Sequence, residues 1–127
     1  MLAAHALADA ALSPAILAER QLAAYNARDL DAFAACFAPD VEVYDFPGVL
    51  AVQGREAFRA RYVERFKSEG LHAIAVHRAV IGERVIDHER VWLDGPGKCA
   101  PIDLVVIYTV RSGLIARVDF IKEGSPR

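Results

Sequence analysis

Apolar positions change period near residue 71, from helical spacing before it to strict alternation after it. From Pro14 to about Ala27, Leu17, Gln21, Ala24 and Tyr25 recur on one helical stripe, with Ser13 as N-cap and Pro14 at the first helical position. Gln21 is the polar member of that stripe. Asp29 predicts the cap of a second, short helix whose Leu30, Phe33, Ala34 and Phe37 face inward, and Pro39 ends it by pushing Ala38 toward extended geometry. A strand from Val41 to Phe46 follows, then an irregular connection from Pro47 to Gln53. A third helix opens at Gly54-Arg55-Glu56; its Phe58, Tyr62 and Phe66 stand four residues apart, and Gly70 is placed as its stop.

Beyond that point four β runs are expected, Leu71 to Ile81, Arg84 to Leu93, Ala100 to Val110 and Leu114 to Glu123. Gly82-Glu83, Asp94-Gly95-Pro96-Gly97 and Ser112-Gly113 supply the turns of an antiparallel meander. Three N-terminal helices packed on a curved antiparallel sheet make an α+β cone with an internal pocket between the layers.

Composition narrows the class without changing this picture. A chain of 127 residues, 54% hydrophobic and 25% charged, is one domain of ordinary size. No apolar run approaches the roughly 18–20 residues of a membrane span, which argues against a membrane partner. The net charge of −2 is small and its basic residues are interleaved with acids, as in Arg55-Glu56 and Glu64-Arg65, so nucleic acid is not expected. Cys36 and Cys99 form neither a disulfide framework nor a metal set, and Cys36 reads as packing. Reduced thiols in the cytoplasm are the expectation, with no cofactor and no metal. Residues 1–12 read as an alanine-rich leader that lacks a basic start and carries Asp9, against a cleaved signal, and residues 13–127 as a single domain.

The candidate chemistry begins at Asp45. Alternation puts it on one strand face with Val41 and Val43, ahead of the Pro47-Gly48 turn, and a carboxylate among buried valines needs a purpose or a partner. Burial there would make it a stronger base than an exposed aspartate. A carboxylate capping the backbone of the turn is the competing reading.

The stretches Tyr25-Asn26-Ala27-Arg28-Asp29-Leu30-Asp31-Ala32-Phe33, Phe37-Ala38-Pro39-Asp40-Val41 and Gly54-Arg55-Glu56, in this order of elements, resemble the nuclear transport factor 2-like superfamily, in its ketosteroid isomerase and SnoaL-like branch. The likeness runs from about Ser13 to Glu123. It implies that Asp45 is the general base, that Gln21 replaces the usual first-helix tyrosine, and that Tyr62 is a pocket tyrosine able to donate to an oxyanion. It also puts Val105 in the slot of a protonated acid, with Asp103 two residues earlier on the same face. In the same register Arg84, Ile86, His88 and Arg90 turn toward the cavity while Asp87 and Glu89 turn away, so that His88 and Arg90 would orient a ligand; Phe58, Val105 and Phe120 complete the expected lining. Asp103, His88 and Arg90 read equally well as a salt bridge within the sheet.

The implied activity is proton transfer next to a carbonyl in a small, partly apolar ligand, with Asp45, Tyr62 and Asp103 as catalytic groups. A non-catalytic, homodimeric ligand-binding module is the alternative, its dimer formed through an outer sheet face carrying Ile102, Leu104, Val106 and Tyr108. Epoxide-hydrolase-like water addition ranks lower. It asks for an Arg and an Asp two apart on one strand, and Arg84 and Arg90 are followed at that spacing by Ile86 and Trp92.

Overall fold

The computed structural model describes residues 13–122; the leader segment and Glu123, the last residue of the expected fourth run, lie outside them. Helix α1 (Pro14–Ala27) begins where the capping pattern places it: Ser13 Oγ accepts from the Ile16 amide at 3.3 Å. It ends at Arg28, in the left-handed region at φ 54°, whose N–H returns to the carbonyls of Ala24 and Tyr25. Asp29 Oδ1 accepts from the Ala32 amide at 3.1 Å and starts α2 (Leu30–Ala34). Asn26 makes two bonds to Ala73 across the layers, its Oδ1 accepting from the Ala73 amide at 2.8 Å and its Nδ2 donating to the carbonyl at 2.9 Å. That pair fixes the last turn of α1 against the sheet.

The third helix is shorter than its aromatic stripe. It runs as α3 (Arg55–Ala60) and gives way to turns and a 3-10 segment at Arg65–Lys67, so Phe58, Tyr62 and Phe66 are carried by three different local structures. They still meet. Phe33 lies at the centre, with ring centroids 5.8 Å from Phe58, 4.9 Å from Tyr62 and 5.3 Å from Phe66.

Six strands form the sheet: β1 (Phe37–Asp45), β2 (Val49–Gln53), β3 (His72–Ile81), β4 (Arg84–Trp92), β5 (Ile102–Arg111) and β6 (Leu114–Lys122). Their order is β2-β1-β6-β5-β4-β3. The meander of the last four is antiparallel as expected, whereas β1 joins it parallel to β6, which makes the sheet mixed. The connection read as irregular contains β2, which pairs with β1 around the Phe46-Pro47-Gly48 turn. Among the described residues this is the α+β cone: three helices packed on one face of a curved, unclosed sheet.

Gly70 does not stop a helix. A Cβ there would lie 2.6 Å from the Asp94 carbonyl carbon and closer still to its oxygen, so this glycine allows the chain before β3 to pass against the β4–β5 loop. Gly70→Ala is expected to destabilise the fold by about 2 kcal/mol, since backbone on both sides must move. Denaturant unfolding within about 0.5 kcal/mol of the parent would show that the loop yields freely.

Candidate active site

The face that each strand turns to the helices is set by burial. On β4 the inward row is Val85, Asp87, Glu89 and Val91, all buried. On β5 it is Leu104, Val106 and Tyr108, and on β6 Val118 and Phe120. Two carboxylates therefore enter the layer between sheet and helices, and each has a partner. Asp87, 0% exposed, takes a bidentate pair from Arg78 on β3, Nε to Oδ1 at 2.7 Å and Nη2 to Oδ2 at 2.8 Å. Glu89, 7% exposed, accepts at Oε2 from the Tyr108 hydroxyl at 2.8 Å, and that hydroxyl accepts from Gln21 Nε2 at 2.9 Å. A bulge in β3 between Ala75 and His77 lies opposite Glu89.

This chain of bonds borders a cavity of about 60 Å³ whose polar lining comes from Gln21, Tyr25, Tyr62, Arg65, Glu89 and Tyr108, set among apolar walls. A second cavity of about 140 Å³, the rim cavity, adjoins it, sharing Tyr62, Arg65, Val91, Leu104 and Phe120 and adding Arg61, Leu93, Ile102 and Lys122. Burial pushes the Glu89 carboxyl up to about 7; the nearby Asp87 charge adds to this, while the Tyr108 hydrogen bond and Arg78 oppose it. Tyr62 is driven up to about 12, first by burial, and so remains a proton donor at neutrality. Burial, followed by the Glu89 charge, raises Tyr108 well above the usual phenol range.

Four of the expected site residues line these cavities: Gln21, Phe58, Tyr62 and Phe120. Asp45 sits at the end of β1, exposed, on the inner face beside its β6 partner Phe120, and outside the lining of both cavities. The burial expected beside Val41 and Val43 is absent because the strand has reached the rim. Its backbone carbonyl accepts from Gly48 in the turn at 3.0 Å.

His88, Arg90, Asp103 and Val105 lie on the opposite, outer face, which corrects the expectation that they look into the cavity. Arg90 grips Asp103 there, Nε to Oδ1 at 2.7 Å and Nη2 to Oδ2 at 3.1 Å, with His88 Nε2 3.4 Å from Oδ2. The Arg90 guanidinium holds the Asp103 carboxyl below the usual carboxylate range. This is the salt bridge of the alternative reading. The row Leu104, Val106 and Tyr108 is correspondingly interior, so it forms no outer dimer face, and Ile102 opens onto the rim cavity. An Arg-Asp pair two apart on one strand does exist, Arg117 and Asp119 on β6, with both bonds at 3.0 Å, but it too is on the outer face, where the guanidinium stacks 3.9 Å from the Tyr44 ring centroid.

The residue that sequence reasoning missed is Glu89, together with its Tyr108 partner. The available signal was its spacing: Val85 and Val91 share its face, and an alternating row bounded by valines at both ends is an inward row.

Comparison with known proteins supports the architecture. The SnoaL-like domain matches residues 18–118. Comparison with curated proteins gave no match. Among solved structures, a cystatin-fold protein of Novosphingobium aromaticivorans is 25% identical with a TM-score of 0.77, covering 87% of this chain and 98% of its own. A proposed polyketide cyclase of Sinorhizobium meliloti is 27% identical with a TM-score of 0.66, over 82% and 92%. A proposed ketosteroid isomerase of Kribbella flavida is 22% identical with a TM-score of 0.68, over 87% and 78%, and shows the fold alone. With most of its length matched, this chain belongs to the SnoaL-like domain family of the nuclear transport factor 2-like superfamily.

Proposed function

We propose that this protein catalyses proton transfer next to a carbonyl in a small, partly apolar molecule, with Glu89 rather than Asp45 as the base. The observation that carries this reading is a buried carboxyl that borders a cavity and is held at one oxygen by Tyr108, its burial pushing it up to about 7. Such a group is present in both forms at pH 7, as a proton shuttle requires. Ionised Glu89 removes a proton from the carbon beside the carbonyl, and the electron pair moves to the carbonyl oxygen as the enolate forms. Tyr62, kept protonated by its burial, donates to that oxygen. Protonated Glu89 then returns the proton to carbon. Gln21 and Tyr108 hold the carboxyl in place throughout. The structural likeness to a proposed polyketide cyclase, 27% identical, supports this class of chemistry without fixing the substrate.

Deuterium exchange into a panel of small ketones and lactones tests the assignment. Glu89→Gln should slow exchange by on the order of 100-fold or more, and Asp45→Asn by less than tenfold. The reverse pattern would return the base to Asp45. Exchange that neither substitution changes would leave a binding module without this catalysis.

A further inference from the structure

The rim cavity has a sign of charge that the chain as a whole does not. The sequence holds 17 acidic and 15 basic residues. Yet among the described residues this cavity is lined by Arg61, Arg65 and Lys122 and by no carboxylate. Neighbouring cations are paired: Arg59 with Asp31 at 2.6 Å and Lys67 with Glu64 at 3.2 Å. Arg61 and Arg65 have no carboxylate partner among the described residues. The Arg65 guanidinium lies 5.2 Å from the Tyr62 ring centroid and Lys122 Nζ 5.5 Å from that of Phe120, so aromatic faces hold both cations at the rim. Between them the walls are Val91, Leu93, Ile102, Leu104 and Phe120.

We propose that this rim cavity is an organic-anion site, taking a small carboxylate-bearing molecule with its acid group on Arg61 and Arg65 and its apolar body against Leu104 and Phe120. Guanidinium groups suit a carboxylate because they offer it paired N–H donors in a plane. The size follows from the cavity. At about 140 Å³ it is comparable with the engineered apolar cavity of about 150 Å³ that holds one benzene ring. A single ring or short chain fits. Orientation rests on the acid/base reading above: an ionised Glu89 repels a second carboxylate, so the head stays at the rim and the apolar end points inward. The preference for an anion does not depend on that reading.

Titration with 3-phenylpropionate and its neutral isostere 3-phenylpropionamide, followed by calorimetry, tests the site. The carboxylate should bind at least tenfold more tightly at low ionic strength, with the gap shrinking as salt is added. Arg61→Gln, at an exposed position outside the packed core, should narrow the gap, and Arg61→Gln with Arg65→Gln should remove it. Equal affinity for the two compounds, binding of neither at millimolar concentration, or a gap that survives both substitutions would overturn the proposal. Glu89→Gln separates the two readings, because it should abolish proton exchange and keep the gap. A gap kept alongside unimpaired exchange in Glu89→Gln would sink the acid/base reading and leave the anion site standing.

Discussion

Replacing Arg78 with methionine is expected to cost roughly 3–5 kcal/mol of folding stability, the range for removing one partner of a buried ion pair. Asp87 is wholly enclosed, and both of its oxygens are occupied by Arg78, at 2.7 and 2.8 Å. The same guanidinium reaches Glu19 on α1 through Nη1 at 2.8 Å, so one side chain ties helix, β3 and β4 together. Methionine keeps much of the stem's packing and removes the donors. Most of the cost is the carboxylate left behind, and a second variant isolates it: Arg78→Met combined with Asp87→Leu should recover most of the loss, since exchanging a whole buried pair for apolar groups is often close to neutral. Denaturant unfolding of the single and double variants measures both numbers. A single-variant loss under 1 kcal/mol, or a double variant no better than the single, would show that the pair does not act as a unit. Because Arg78 also holds Glu89 down, its loss should move the pH dependence of exchange upward.

The faces of β4 and β5 differ from those expected by one residue of register. Helix caps at Ser13 and Asp29, the aromatic stripe and the four-strand meander were all legible, because each rests on local chemistry that needs no knowledge of the partner element. The mixed sheet was not legible, since nothing within β1 says that it will lie parallel to β6. β2 escaped because a five-residue strand exposed along most of its length has no alternation to read. The resemblance implies the opposite inward face for β4 and β5 from the one the structure shows. Leu104, Val106 and Tyr108 argued plainly for an interior row, and an inward β5 face brings Glu89 inward by cross-strand pairing with Leu104. Alternation along β4 alone does not choose between its faces, because both mix polar and apolar residues. Asp87 and Glu89 each become acceptable inside only through a long-range partner, Arg78 on one strand and Tyr108 on another, and such partners are visible only once the strands are assembled.

Stability should fall as pH rises from about 4.5 to about 7, by roughly 3 kcal/mol on account of Glu89 alone. The ordinary value for this carboxyl is 4.5 and the folded protein holds it near 7, first because of burial. Below pH 4.5 folded and unfolded chains both carry the proton, and Glu89 favours neither. Within the window the unfolded carboxyl ionises while the folded one keeps its proton, so unfolding releases a proton and rising pH favours it. Above pH 7 both are ionised and the full penalty of a charge in an apolar layer is present. Other groups titrate over the same range, so the measurement is a difference: unfolding free energies of the parent and Glu89→Gln, in buffers from pH 4.5 to 8. The variant should gain roughly 3 kcal/mol relative to the parent across that span, whatever its offset at the acid end. A constant difference would mean that Glu89 stays ionised throughout, and its fitness as a proton shuttle would go with it. The result also bears on why the residue is there. A glutamate that weakens the fold at neutral pH gives no structural return that glutamine could not match at the same Tyr108 contact. The stability it forgoes is what a site needing a titratable group near neutrality would require.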